Sequence, residues 1–424
     1  MTERALLDGL FRTAIAAAHP SSCLPQHLPP PPKSGRLIVL AAGKAGGSMA
    51  EVAEAAYAGL GDRLLGIAVA RQGYGRPLRS ISMIEAGHPI PDAAGLQAAE
   101  AALELAEGAG PDDLVLVLLS GGASANWIAP ARGLTLTDKH TVTRSLLRSG
   151  ANIGEINTVR KHLSRIKGGR LAKLARQSGV LTLAISDVPG DDPAVIGSGP
   201  TVADPTTLAD ARAILTRYKL DIPAAVTRAL ADIANESPKP NDPVFASGEY
   251  KLVARPADAF RAVERDVRLL GFELIMLGDH MEGEARERGA EHARLARELQ
   301  AAGRRAIILS GGELTVTIRG RGRGGPNQEY ALALAVALQG TPGIAALAGD
   351  TDGTDGGAGS PDDPAGAVIN QTTLERAHLL GLDPAHFLAD NDSTGFFTRL
   401  GDLVETGPTW TNVNDFRAIV VDRP

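Results

Sequence analysis

The sequence predicts an α/β protein of two domains, and three observations carry that reading. Its 424 residues are too many for one ordinary core. Short apolar runs alternate with glycine turns and helical stretches, which is the pattern of a parallel sheet covered by helices. Many of its 49 glycines follow those runs directly, where α/β proteins bind ligands at strand ends. A Rossmann-like first domain with a mostly parallel sheet is expected over residues 1–240. A smaller α/β domain is expected over 246–424, with a last strand free to pack back on the first. The polar, proline-containing stretch 235–245 marks the boundary between them.

The elements follow in order. An amphipathic helix is expected over 3–18 and a buried strand over 36–42, running into Gly43-Lys44 and an alanine-rich helix. A short strand at 66–70, a helix at 94–107 and a strand at 113–119 come next. A basic helix is expected over 158–177 and a strand over 181–185. The second domain reads as strand 250–254, helix 257–270, strand 272–276, helix 281–302 and strand 305–309. A strand at 314–319, a helix from 327, a strand at 343–348 and a final strand at 416–421 complete it.

Composition excludes several classes. Hydrophobic content of 44% with 22% charge is that of a globular chain, and a net charge of −6 leaves no basic face for general nucleic-acid binding. The single cysteine, Cys23, rules out an internal disulfide framework. Charges at positions 3, 4, 8 and 12 make the N-terminus a helix and not a signal peptide, and no apolar run reaches membrane-spanning length. A cytoplasmic location is expected, with no membrane and no nucleic-acid partner. A homodimer is admitted, and the sequence does not fix the oligomeric state.

The richest segment is 310–330, SGGELTVTIRGRGRGGPNQEY. Glycines 320, 322, 324 and 325 strip side chains from a loop between a strand and a helix start, and Arg319, Arg321 and Arg323 supply fixed positive charge. Backbone donors, guanidinium groups and a helix N-terminus predict a phosphate site; a solvated hairpin end is the plain alternative. Its Gly320-x-Gly322-x-x-Gly325 pattern also fits a dinucleotide turn. Against that stand the preceding hairpin-like Ser310-Gly311-Gly312 and the arginines in the variable positions.

Other turns add candidates. Lys44 can reach an anion at a helix N-terminus, or be a solvated surface lysine; Ala45 after it excludes a P-loop. Ser120, Gly121, Gly122 and Ser124 offer donors after a central strand, for cradling an anion or simply for turning the chain. The nucleophile elbow G-x-S-x-G is absent there. The run 157–170 holds Arg160, Lys161 and Lys167, of which one or two can hold a small carboxylate while the others are solvated. Asp187, Asp191 and Asp192 follow one buried strand, and Asp350, Asp352 and Asp355 follow another. Carboxylates there coordinate a hard cation, serve as a base, or build a turn. Cations together with carboxylates suit phosphoryl transfer, since a nucleoside triphosphate brings about four negative charges.

These motifs resemble a known family. NTVRKHLSRIKGGRLA at 157–172, SDVPGDDPAVIGSGPTVADPTT at 186–207, the stretch 311–329 and NVND at 412–415 resemble the glycerate 2-kinase family, many of whose members carry the label hydroxypyruvate reductase. The resemblance implies a two-domain α/β enzyme with a C-terminal MOFRL domain and its active site in the interdomain cleft. It implies phosphorylation of D-glycerate at the 2-hydroxyl by ATP, with Mg²⁺. Lys44 matches the family's catalytic lysine, Asp187, Asp191 and Asp192 its acidic loop, and Arg323 its glycine-arginine loop. Pro326 stands where many members have arginine, Ala123-Ser124-Ala125-Asn126 replaces a commoner glycine-serine-alanine-leucine, and Trp410 is a third departure.

The resulting expectation assigns catalysis to Lys44, Asp187 and Arg323. Phosphate binding falls to Gly43, Ser120, Gly121, Gly122, Ser124, Gly311, Gly312, Glu313, Gly324, Gly325 and Asn327. Arg160, Lys161 and Lys167 hold substrate, and the metal ligands come from Asp191, Asp192, Asp350 and Asp352. An NAD(P)H-dependent hydroxypyruvate reductase and a non-catalytic nucleotide sensor are the competing classes.

Overall fold

The computed structural model describes residues 2–357 and 359–423. The chain divides into two compact units. One is Cys23–Val253; the other joins the residues up to Ser22 to those from Ala254 onward.

The unit Cys23–Val253 is built on a six-stranded sheet. Its strands are β1 (Leu37–Ala42), β2 (Leu64–Arg71), β3 (Ile81–Ala86), β4 (Leu114–Leu119), β5 (Gly179–Ile185) and β6 (Gly248–Ala254). They lie in the order β3-β2-β1-β4-β5-β6, and β1 to β5 pair in parallel. The sequence LIVLAA of β1 is buried along its whole length, as befits a central strand covered on both faces. The order reverses between β1 and β4, so the crevice past their C-terminal ends is the switch point where such sheets bind ligands. Ala98, Ala99, Ala102 and Ala106 of the helix Ala93–Glu107 pack on Ile38, Leu40, Val115 and Val117. A second cluster joins the helices Leu136–Arg148, Ile153–His162 and Leu208–Arg217 through Val142, Leu146, Val159 and Ile214.

The other unit has a mixed sheet of β7 (Glu273–Met276), β8 (Ala306–Gly312), β9 (Ile344–Asp350), β10 (Gly366–Ile369), β11 (Leu403–Val404) and β12 (Asp415–Val421). The order is β11-β10-β9-β12-β8-β7. β7 and β8 are parallel; β12 lies antiparallel between β8 and β9. The helix Pro326–Leu338 is buried on nearly every side and packs on Ala285–Ala301.

Several expectations need correction. The helix Glu3–Ala18 forms where expected but belongs to the unit that also holds the C-terminus. Phe11 meets Phe416 at 5.6 Å between ring centroids, and Thr13 donates to Asp266 at 2.7 Å. The strand expected at 250–254 closes the sheet of Cys23–Val253, because Tyr250 and Leu252 pack on that core, so the boundary falls after Val253 and not at 240–246. The last strand is central in its own sheet. All seven of its residues are buried, and it lies between β9 and β8. Residues 158–177 are not one helix, since Gly168 and Gly169 adopt φ of 60° and 80° and break it. Residues 314–319 form no strand, only an isolated bridge between Glu284 and Thr315.

Phe416 stacks between Phe11 and Phe260 and ties the N-terminal helix to β12. Phe416→Ala is therefore expected to destabilise this unit by about 3–5 kcal/mol, read from the urea midpoint. Ile318→Ala, at a side chain 81% exposed, should leave the midpoint in place.

Candidate active site at the sheet switch point

The turns that end β1 and β4 interlock. Lys44 N–H donates to the Gly121 carbonyl at 2.8 Å, and Ala45 N–H donates to Ser120 Oγ at 2.9 Å. Gly43 has φ of +115°, and a Cβ there would collide with Ser120, so only glycine fits. Ser120 is fully buried, and its hydroxyl joins the two turns as a strut. Gly122, with φ of +82°, leaves a slot: a Cβ there would lie 3.0 Å from the His88 ring and 3.4 Å from Lys44 Cγ. Half-buried Lys44 and His88 thus flank one spot at the switch point. The sequence reading missed His88 because β3, the strand before it, was not recognised.

The acidic turn after β5 lies beside the end of β4. Asp187 is half-buried. Gly190 and Asp191 both take positive φ, 78° and 56°, and Asp192 Oδ1 accepts from Ala194 N–H at 2.8 Å. Asp191 and Asp192 are therefore held on a tight turn, with Asp192 exposed.

The basic run sorts itself by direction. Asn152 and Glu155 form a capping box that starts the helix Ile153–His162. Lys139 Nζ closes its other end, donating to Leu163 O at 2.9 Å. Beyond the end of this helix at His162, Lys167 turns back. Its Nζ donates to Ser124 O at 2.7 Å and Ser124 Oγ at 2.9 Å, and Arg160 Nη2 reaches the same Oγ at 2.9 Å. Ser124 Oγ also meets Ser198 Oγ at 2.8 Å. Lys161 points elsewhere, to Asp204 at 3.5 Å, and leaves the set. Burial first, then the charges of Arg160 and Lys139, hold the Lys167 ammonium well below the usual lysine range.

The arginine-glycine loop of the other unit is built differently from expectation. The backbone donors of residues 319–323 are already used. Arg319 and Gly320 N–H donate to Asn391 Oδ1, Arg321 N–H to Asp390 Oδ1, Gly322 N–H to Asp390 O and Arg323 N–H to Asp392 Oδ1. A Cβ at Gly320, Gly322, Gly324 or Gly325 would collide with Asp390, Asp392, Ser393 or Asp355. The glycines allow this close packing. The helix N-terminus is likewise occupied: Asn327 N–H and Gln328 N–H donate to the two oxygens of Asp355, at 3.0 and 2.8 Å. Asn327 is fully buried in this network with Asp415 and Arg417. Pro326 opens the helix, where its missing N–H is no loss.

Gly311 N–H donates to Gly278 O and Gly311 O accepts from Arg417, while Gly312 abuts Met281. Glu313 is exposed. The arginine side chains remain outside, Arg323 being 70% exposed and 3.6 Å from Asp363. Asp350 Oδ1 accepts from Asp352 N–H, and Asp352 Oδ1 from Thr354 N–H and hydroxyl, so this acidic turn satisfies its own backbone. Among the described residues no group of three or more His, Cys, Asp or Glu side chains is placed to hold a metal ion.

Comparison with known proteins matches this architecture. Residues 6–231 match a domain of unknown function, DUF4147, and residues 306–415 match the MOFRL family. A glycerate 2-kinase of Pyrococcus horikoshii is 39% identical over 91% of this chain and 88% of its own. The crystal structure of a glycerate kinase from Thermotoga maritima superposes with a TM-score of 0.87 at 35% identity, covering 98% of this chain and 99% of that one. The chain belongs to the glycerate 2-kinase family. A protein of Agrobacterium vitis described as a putative hydroxypyruvate reductase is 47% identical over 99% of this chain and 95% of its own. Within this glycerate 2-kinase fold, the structure groups Gly43, Lys44, Ser120, Gly121 and Gly122 at the β1/β4 switch point, and Ser124, Arg160 and Lys167 in one cluster.

The Asp355 network makes a pH prediction. Burial, with Asp415 nearby, pushes Asp355 up to about 7, against the pull of the Asn327 and Gln328 amides. A raised carboxyl binds its proton more tightly in the folded state. Its contribution to stability is therefore full below about pH 4 and lost as pH rises through 7. The stability difference between wild type and Asp355→Asn should shrink from pH 4 to pH 7 in urea titrations; a flat difference would contradict this assignment.

Proposed function

We propose that this protein transfers the γ-phosphoryl group of ATP to the 2-hydroxyl of D-glycerate, giving 2-phospho-D-glycerate and ADP. The observation that carries this reading is the placement of Lys44 at the β1/β4 switch point, with Asp187 ending the adjacent β5. The names borne by the relatives from Pyrococcus and Thermotoga support the same reaction.

In this proposal the 2-hydroxyl oxygen attacks the γ-phosphorus and the bond to the β-phosphate oxygen breaks, leaving ADP. The hydroxyl proton passes to the Asp187 carboxylate. The Lys44 ammonium stabilises the negative charge of the transferring group. Arg323 keeps an exposed guanidinium for phosphate, although the backbone around it is committed. Mg²⁺ would arrive with the triphosphate and neutralise part of its charge. Asp191 and Asp192 offer hard oxygen ligands of the kind that cation takes, one or two at a time with water and phosphate completing the shell. Asp352 fits that role less well, because it is buried and accepts from both the N–H and the hydroxyl of Thr354.

The reductase reading loses its support. It needed Gly320–Gly325 as a dinucleotide turn directly after a strand, but residues 314–319 form no strand, and the N–H groups of Gly320 and Gly322 are taken by Asn391 and Asp390.

The test is product identity by phosphorus NMR with D-glycerate, ATP and Mg²⁺. A 2-phosphoglycerate signal is expected, and Lys44→Ala should lower kcat by about 10²–10³-fold with the fold intact. NADH oxidation with hydroxypyruvate and no phosphorylated product would overturn the proposal.

A further inference from the structure

Three cations beside the Ser124 turn are taken out of water without a counter-charge. Lys139 and Lys167 are 2% and 1% exposed, and Arg160 is half-buried. All three donate only to neutral oxygens: the carbonyls of Ser124, Arg160 and Leu163, the Asn157 amide and the Ser124 hydroxyl. The nearby acids serve other cations. Asp204 lies against Lys161 at 3.5 Å, and Glu236 meets His162 at 3.1 Å and Lys239 at 2.6 Å. Buried charge without a partner is strongly unfavourable, so a fold that gathers it is suited to receive an anion. Burial first, then neighbouring cations, lower the proton affinity of both lysines.

We propose that Arg160, Lys167 and the hydroxyls of Ser124 and Ser198 form the seat of the substrate's carboxylate, so that Ser124 serves the hydroxy acid and not the nucleotide. This rests on the glycerate-phosphorylating reading and specifies how that site chooses its substrate. The shape of the seat favours a carboxylate over a triphosphate. Ser198 and Lys167 form a closed floor, and only half-buried Ser124 and Arg160 offer a way in. The planar Arg160 guanidinium matches the two oxygens of a carboxylate. Lys161, which is adjacent in sequence, takes no part because Asp204 holds it away. The seat selects acids over the neutral triol glycerol, which carries the same hydroxyl chemistry without the charge.

The test separates the two substrates. KM for D-glycerate and KM for ATP are measured for wild type, Arg160→Met, Lys167→Met and the conservative Lys167→Arg. Calorimetric titration with D-glycerate in the absence of nucleotide is run alongside. Arg160→Met and Lys167→Met should raise the D-glycerate KM about 10–100-fold, the loss expected for one charged hydrogen bond. The ATP KM should stay within about twofold, and Lys167→Arg should recover part of the loss. A rise in ATP KM with D-glycerate KM unchanged would assign the cluster to phosphate and overturn the proposal, as would no change in either. If a methionine variant fails to fold, Ser124→Ala gives the same reading by a smaller but selective rise in D-glycerate KM. If the wild type phosphorylates nothing, the function has failed independently. Calorimetric binding of D-glycerate that Lys167→Met abolishes would then still support the seat, and absence of binding to the wild type would overturn it.

Discussion

The parallel pairing of β1 with β4 is the constraint on which the site depends. Register Ala42↔Leu119 brings the first residues beyond both strands side by side, and the Lys44–Gly121 and Ala45–Ser120 hydrogen bonds then lock the two turns. That lock needs a glycine at 43 and a small hydroxyl residue at 120, because nothing larger passes between them. With the turns fixed, the Lys44 side chain and the His88 ring lie on either side of Gly122. The sheet therefore supplies the rigidity of these turns, and the loops carry the polar side chains.

Charge is distributed unevenly around this frame. Near Ser124, cations are buried and lack carboxylates. In the other unit, carboxylates and cations pair internally. Glu329 accepts from Arg286 and Asn391, and Asp415 from Arg417 and Asn327. A network satisfied in this way rigidifies its loops but has little left to give a ligand except exposed arginine side chains. The first arrangement is incomplete by itself, which is the physical reason for looking there for substrate.

Much of the fold was legible in the sequence. The helix Glu3–Ala18 and strands β1, β4 and β5 were readable from capping and unbroken apolar runs, because they are local and strongly patterned. The arginine-glycine loop was misread for a reason local sequence cannot resolve: glycine serves equally to free a backbone for a ligand and to let two chain segments touch. Asp390, Asn391 and Asp392, some seventy positions away, decide between these uses. The same holds for Asp355, which reads as a metal ligand in its own loop and caps a helix from a distance. Lys161 and Lys167 looked alike in the sequence, but the helix ends at His162, between them, and one reaches Ser124 while the other stays on Asp204. His88 had no signal of its own, since its significance comes from a neighbour, Gly122, in another turn.

The most direct measurement is a crystal structure of the protein grown with D-glycerate and a non-hydrolysable ATP analogue. The account predicts glycerate bound at the C-terminal ends of β1, β4 and β5, with its carboxylate on Ser124, Arg160 and Lys167 and its 2-hydroxyl turned toward Asp187. Glycerate seated instead on the backbone of residues 319–325, with the residues around Ser124 unchanged and unliganded, would contradict it.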